Sequence, residues 1–125
     1  MEQKICLDTD LCIEIVKENR SVETIFEKYP SAATFISSIT LFELNLRETN
    51  IEEIKLFVHY FQILPFTDLC AIKASIVSKD LNRKGLALDF RDIFIAVTCI
   101  VNNCSLLTLN KKHFENIEEL KLIDI

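Results

Sequence analysis

Four oxygen-bearing side chains, Asp8, Glu43, Asp92 and Asn110, stand just after an apolar run or at the start of a helical one. In an open α/β sheet such positions gather outside the carboxyl ends of the strands, where function collects. Carboxylates brought together there repel one another unless a divalent cation joins them. Oxygen-only ligands suit magnesium or manganese rather than zinc or copper. The chemistry such a constellation supports is hydrolysis of a phosphodiester, with metal activating water and stabilising charge on phosphorus. No serine–histidine–aspartate arrangement, glycine-rich phosphate loop or zinc spacing competes with it.

Each acid also has a local reading. Asp10 suits a helix cap and Asp8 the turn before it, because short acceptors serve both jobs. Yet a lone carboxylate ending the apolar run Ile5-Cys6-Leu7 needs a partner, and a cation is one. Thr40-Leu41-Phe42-Glu43 has the form of a capping box, which places Glu43 much as a role over the sheet edge would. Asp92 fits the first turn of the helix that follows, where the helix dipole favours negative charge. A cap at Asp89 instead would leave Asp92 free to face inward.

These positions depend on the elements around them. Apolar runs at residues 4–7, 33–39, 62–66, 104–110 and 120–125 read as strands, the third ending near Pro65. Between them lie helical stretches: one from about residue 10, and one over 22–29 capped by Ser21 and ended by Pro30. Further helices are expected from Thr40, over 50–61, from Thr67 or Asp68 to about Arg83, and over 93–101. Ile51, Ile54, Phe57, Val58 and Phe61 make a core-facing stripe with His59 on its polar side. Gly85, the only glycine, is placed to end the long helix. Strands separated by helices imply right-handed crossovers and helices on both faces. The expected fold is therefore a three-layer α/β/α sandwich with a mainly parallel central sheet of about five strands, in a single domain over 1–125.

Net charge is -5, which disfavours a nucleic-acid binder working by bulk basic charge. An acidic enzyme still handles phosphate when bound metal reverses the sign locally. Five cysteines without a CxxC pair, and no signal peptide, fit a reducing cytoplasm. The uncharged stretch 93–110 is broken by Asn102-Asn103 and is not read as a membrane span.

Taken in order, Ile5-Cys6-Leu7-Asp8-Thr9-Asp10, Ser37-Ser38-Ile39-Thr40-Leu41-Phe42-Glu43-Leu44, Asp92-Ile93-Phe94-Ile95-Ala96-Val97 and Leu106-Leu107-Thr108-Leu109-Asn110-Lys111-Lys112-His113-Phe114 carry a resemblance over nearly the whole chain. The chain resembles PIN-domain ribonucleases, most closely the small VapC-like toxins of toxin–antitoxin pairs. The resemblance implies a magnesium- or manganese-dependent endoribonuclease, cytoplasmic, often dimeric, acting on RNA and neutralised by a small antitoxin. By position, Asp8, Glu43 and Asp92 would be the metal-binding acidic triad. Asn110 matches a fourth position where many members carry aspartate. Asp10 matches a position more often asparagine, and Asp89 has no clear counterpart. Arg91 and Lys111, beside proposed site residues, are the candidate RNA-backbone contacts.

Two rivals stand beside this reading. Asp8-Thr9-Asp10 also looks like the opening motif of haloacid-dehalogenase-type phosphatases, with Asp8 as nucleophile, Asp10 as acid/base, and Ser37 or Ser38 with Lys111 on the phosphate. No paired late acid motif follows that lysine. The other rival is an inactive PIN-like binding module. In either case Phe57, Tyr60 and Phe61 beside the 68–83 helix are a candidate surface for a dimer or antitoxin, with core packing the stronger use of those side chains.

Overall fold

The computed structural model describes residues 3–18 and 20–123. In chain order the elements are β1 (Lys4–Leu7), α1 (Thr9–Val16), α2 (Arg20–Glu27), β2 (Ala33–Ser37), α3 (Ser38–Asn45), α4 (Ile51–Val58), β3 (Gln62–Leu64), α5 (Asp68–Arg83), α6 (Phe90–Val101), β4 (Ser105–Leu107) and α7 (Lys111–Phe114). The strands form one parallel sheet in the order β3-β2-β1-β4, with Cys6 opposite both Phe35 and Leu106. This is the expected α/β sandwich, with four strands.

Alternation along the strands explains the three layers, because successive side chains point to opposite faces. Ile5, Leu7, Ile36 and Leu107 pack with Leu11, Cys12, Leu44 and Ile54 under α1, α3 and α4. Cys6, Phe35, Leu64 and Leu106 pack with Cys70, Ala74, Leu81, Ile95, Ala96 and Cys99 under α5 and α6. Strands covered on both faces need apolar residues at every position, which is why these runs do not alternate with polar ones. All five cysteines are free and buried, filling space as small hydrophobes. Among the described residues, no helix is long and apolar enough to cross a membrane.

Several boundaries differ from expectation for local reasons. Residues 120–123 make a single bridge, Leu122 beside Leu106, instead of a fifth strand, and residues 124 and 125 lie outside the described ones. Helix α3 begins at Ser38 rather than Thr40, because the Ser37 hydroxyl caps it by accepting from the Thr40 amide. Glu43 therefore lies a full turn or more inside the helix, and the capping-box arrangement does not form. Helix α2 starts at Arg20, one residue before Ser21. Asp8, not Asp10, is the N-cap of α1. Thr67 caps α5, and Gly85 ends it with φ 71. The bonds Gly85 N to Asn82 O and Leu86 N to Leu81 O close the paired helix-ending motif that a left-handed residue permits.

The connections leave β1 first toward β2 and β3, and later return to place β4 on its other side. The crevice between the carboxyl ends of β1 and β4 is thus the topological switch point, where open α/β sheets bind ligands. The Asp8 amide donates to Leu107 O at 3.0 Å, tying the two strand ends together at that crevice.

Candidate active site

Asp8 leaves β1 directly into the switch-point crevice with only 5% of its surface exposed. Its Oδ1 accepts from the Thr9 amide at 2.9 Å and its Oδ2 from the Thr108 hydroxyl at 2.7 Å. Burial pushes its pKa up to about 6; the bonds from Thr108 and Thr9 pull it down, and the charges of Asp92 and then Asp10 push it up. Burial wins over two good donors. A buried carboxylate in that condition favours anything positive that reaches it.

Glu43 projects from α3 toward the same point. Its Oε1 accepts from the Thr9 hydroxyl at 2.7 Å, and its Oε2 lies 3.6 Å from Arg91 Nη1. The Thr9 hydroxyl is also 3.0 Å from that of Thr40, and Thr40 is 3.3 Å from Ser37 Oγ. With one proton per hydroxyl, a consistent chain runs from Ser37 through Thr40 and Thr9 to the Glu43 carboxylate. Such chains polarise one another and fix the terminal acceptor. Asp8, Thr9, Ser37, Thr40 and Thr108 are five of the six buried polar residues among those described. The polar interior of this protein is therefore almost wholly the support of one crevice.

Asp92 lies in the first turn of α6, because Asp89 takes the cap by accepting from the Arg91 amide at 2.9 Å. The Asp92 carboxylate meets His113 Nε2 at 2.9 Å. Asn110 caps α7 without a side-chain bond, and its amide donates to Thr108 Oγ1 at 3.1 Å. One threonine hydroxyl thus links the fourth position to Asp8. Of the two cations expected at the rim, Arg91 bridges Glu43 and Asp89, the latter at 3.3 Å from its Nε, and Lys111 opens α7. Arg91 in turn holds the Asp89 carboxyl below the usual range through its amide and guanidinium. Asp10 is exposed in the first turn of α1 and acts on the site only through its charge.

The fold thus joins Asp8 to Glu43 through Thr9, sets Asp92 where its charge reaches Asp8, ties the Asn110 backbone to Asp8 through Thr108, and leaves Asp10 and Asp89 exposed. The oxygen donors fit a hard divalent cation. Among the described residues no three His, Cys, Asp or Glu side chains close on one point; each acid leans on a different protein donor. The serines of the phosphatase reading are committed elsewhere. Ser37 caps α3, and Ser38 Oγ accepts from the Phe66 amide at 3.1 Å.

Sequence reasoning passed over Thr9, Thr40, Thr108 and His113. For the threonines the signal was present: Thr9 follows Asp8, Thr40 precedes Glu43 by three residues and Thr108 precedes Asn110 by two, all at the ends of apolar runs, where a buried polar group needs a partner. His113 carried no such signal, since its approach to Asp92 depends on Phe114 beside it anchoring α7 in the core.

Residues 5–120 match the PIN domain family. Ribonuclease VapC1 of Methanocaldococcus jannaschii is 32% identical over 126 residues, covering 98% of this chain and 89% of that protein. Two solved assemblies share the fold closely. VapBC2 from Rickettsia felis, bound to a DNA fragment from its promoter, gives a TM-score of 0.87 at 25% identity, covering 98% of this chain and 99% of that one. DNA-bound VapBC from Salmonella typhimurium gives 0.86 at 28% identity, covering 98% of each chain.

Proposed function

The chain belongs to the PIN-domain family, as a VapC-like member, and on that premise we propose that it is a divalent-metal-dependent endoribonuclease, the toxin of a toxin–antitoxin pair. One observation carries the reading: Asp8 is a buried carboxylate at the switch point, joined through Thr9 to Glu43 and facing the charge of Asp92. Magnesium or manganese held by Asp8, Glu43 and Asp92 would activate the attacking water and neutralise charge developing at phosphorus. The protein's part is preorganisation. Thr108 and the Thr9 amide fix Asp8, the hydroxyl chain fixes Glu43, and His113 holds Asp92. Asn110 contributes an amide oxygen at the fourth corner, and Arg91 and Lys111 offer positive charge to the RNA backbone beside the acids.

The relatives are ribonucleases and VapBC assemblies, which supports RNA as substrate and a small antitoxin as partner. A cleft of about 440 Å³ lined by Ile15, Phe26, Phe57, Tyr60 and Phe61 is apolar enough to seat such a partner. Exposed Leu69, Ile72 and Ile76 along α5 support self-association as a homodimer. Five free thiols suit the cytoplasm.

Manganese titration by calorimetry, run beside RNA cleavage on the parent, Asp8→Asn and Asp92→Asn, tests the proposal. Saturable binding and cleavage that both variants lose while folded are expected. Variants that bind manganese and cut RNA like the parent would reduce the acids to helix caps.

A further inference from the structure

Phe90 is the first residue of α6 and 72% of its surface is exposed. It is not loose. Its ring lies 6.5 Å from that of Phe94 at 19°, and Phe94 in turn packs 4.7 Å from Phe66. A ladder of three aromatics thus rises from the core and ends in solvent at the carboxyl edge of the sheet. The backbone at its end is pinned, because Asp89 caps the helix one residue earlier. The next residue is Arg91, whose guanidinium is held by Asp89 at 3.3 Å and reaches to 3.6 Å from Glu43. Ring and cation are thus consecutive residues at the start of α6, just before Asp92, and α7 brings His113 to within 2.9 Å of that acid. On a chain of net charge -5, Arg91 is thus a cation set directly against a site acid.

Unpaired nucleotides are recognised by that pairing of features, a base stacked on an aromatic face and a phosphate met by a guanidinium. We propose that Phe90 and Arg91 form a nucleotide subsite beside the acidic centre, the guanidinium taking a backbone phosphate and the ring stacking an unpaired base of single-stranded RNA. This rests on the ribonuclease reading for the identity of the polymer. The ligand class is narrower: a base within a duplex is already stacked on both faces and has no face to offer. The subsite therefore selects loops and single strands.

The test measures binding of a labelled single-stranded RNA of about 12 nucleotides by fluorescence anisotropy. It uses the full chain carrying Asp8→Asn with magnesium present, so that bound RNA stays intact. Phe90→Leu should weaken binding about tenfold, the scale of one lost base stack, while Phe90→Trp retains it. Leu56→Ala removes an exposed apolar side chain on α4, outside the crevice and the apolar cleft, and should change nothing. An abasic residue at the contacted position should weaken binding to the protein that keeps Phe90 by the same factor, and binding to the Phe90→Leu protein no further. Equal affinity in the Phe90→Leu protein overturns the subsite, as does tighter binding of duplex or no binding of RNA at all. A changed sedimentation coefficient with unchanged RNA affinity would assign Phe90 to a protein interface and overturn it too. Phe90-dependent binding without cleavage by the parent sinks the ribonuclease reading alone. Cleavage at the parent rate and affinity by Phe90→Leu sinks the subsite alone.

Discussion

Replacing Asp8 by asparagine should make the metal-free protein more stable at neutral pH. The carboxyl is 5% exposed and its pKa is raised from 3.8 to about 6, chiefly by burial. Because the folded value lies above the unfolded one, the fold prefers the protonated acid. Its stability is full below pH 3.8 and falls as pH rises through about 6. Each unit is worth about 1.36 kcal/mol, so ionised Asp8 costs the fold about 3 kcal/mol at pH 7.5. Asparagine removes that cost and keeps an oxygen for the Thr9 amide. It also turns an NH2 toward Thr108, whose hydroxyl already accepts from the Asn110 amide, and this loses about 1 kcal/mol. The net gain of about 2 kcal/mol should raise Tm by about 8 °C in a chain of this length. At acid pH Asp8 is protonated in both states, so only the hydrogen-bond loss remains and the difference should change sign at roughly pH 4.5. Thermal unfolding by circular dichroism in EDTA, from pH 4 to 8, reads both effects. A variant less stable at pH 7.5, or a difference that does not move with pH, would refute the burial argument.

The same carboxyl must lose its proton to bind metal, so apparent manganese affinity should fall about tenfold per pH unit below about 6. Calorimetry showing a flat affinity down to pH 5 would remove Asp8 from the site. Thr9→Val deletes the hydroxyl that fixes Glu43 and should weaken manganese binding by about 10–100-fold. Thr9→Ser should restore that affinity in the same titration, and unfolding should register about 1 kcal/mol for the valine variant. Phe114→Ala empties a side chain that is 1% exposed and anchors α7, so urea unfolding should show a loss of about 3–5 kcal/mol. A loss under about 1 kcal/mol would mean that α7, with Asn110 and His113, is positioned by something else.

The strands and long helices were legible because their residues obey local rules that tertiary structure did not overturn. Thr67 and Gly85 bracket α5 by capping chemistry alone. The apolar runs of β1 and β4 announce strands covered on both faces. What was not legible depends on distance. Residues 120–123 carry strand-like alternation, yet they pair only through one bridge at Leu106. Helix α3 starts two residues early because Ser37 ends a strand and caps a helix at once, a choice that Thr40 and Glu43 advertised just as well. The meeting of His113 with Asp92 spans 21 residues and rests on how α7 packs, which no local pattern encodes.

Cap and ligand compete as explanations for the acids at the level of sequence, and the geometry makes the two compatible at Asp8. An N-cap uses one lone pair of one oxygen, whereas a carboxylate offers about four acceptor sites. Asp8 spends one site of Oδ1 on the Thr9 amide and one of Oδ2 on Thr108. The second lone pair on each oxygen is not consumed by either bond. Capping then orients the carboxylate rather than occupying it, and the strand-to-helix turn at Asp8 does for the site what a dedicated positioning residue would do. The same economy explains why the buried hydroxyls cluster here. Each satisfies a buried backbone or side-chain group required by the fold, and in doing so fixes an acid. A substitution such as Thr108→Val therefore strikes stability and metal affinity together, whereas Asp8→Asn drives them in opposite directions. That contrast is the measurable difference between a residue that supports a metal site and one that forms it.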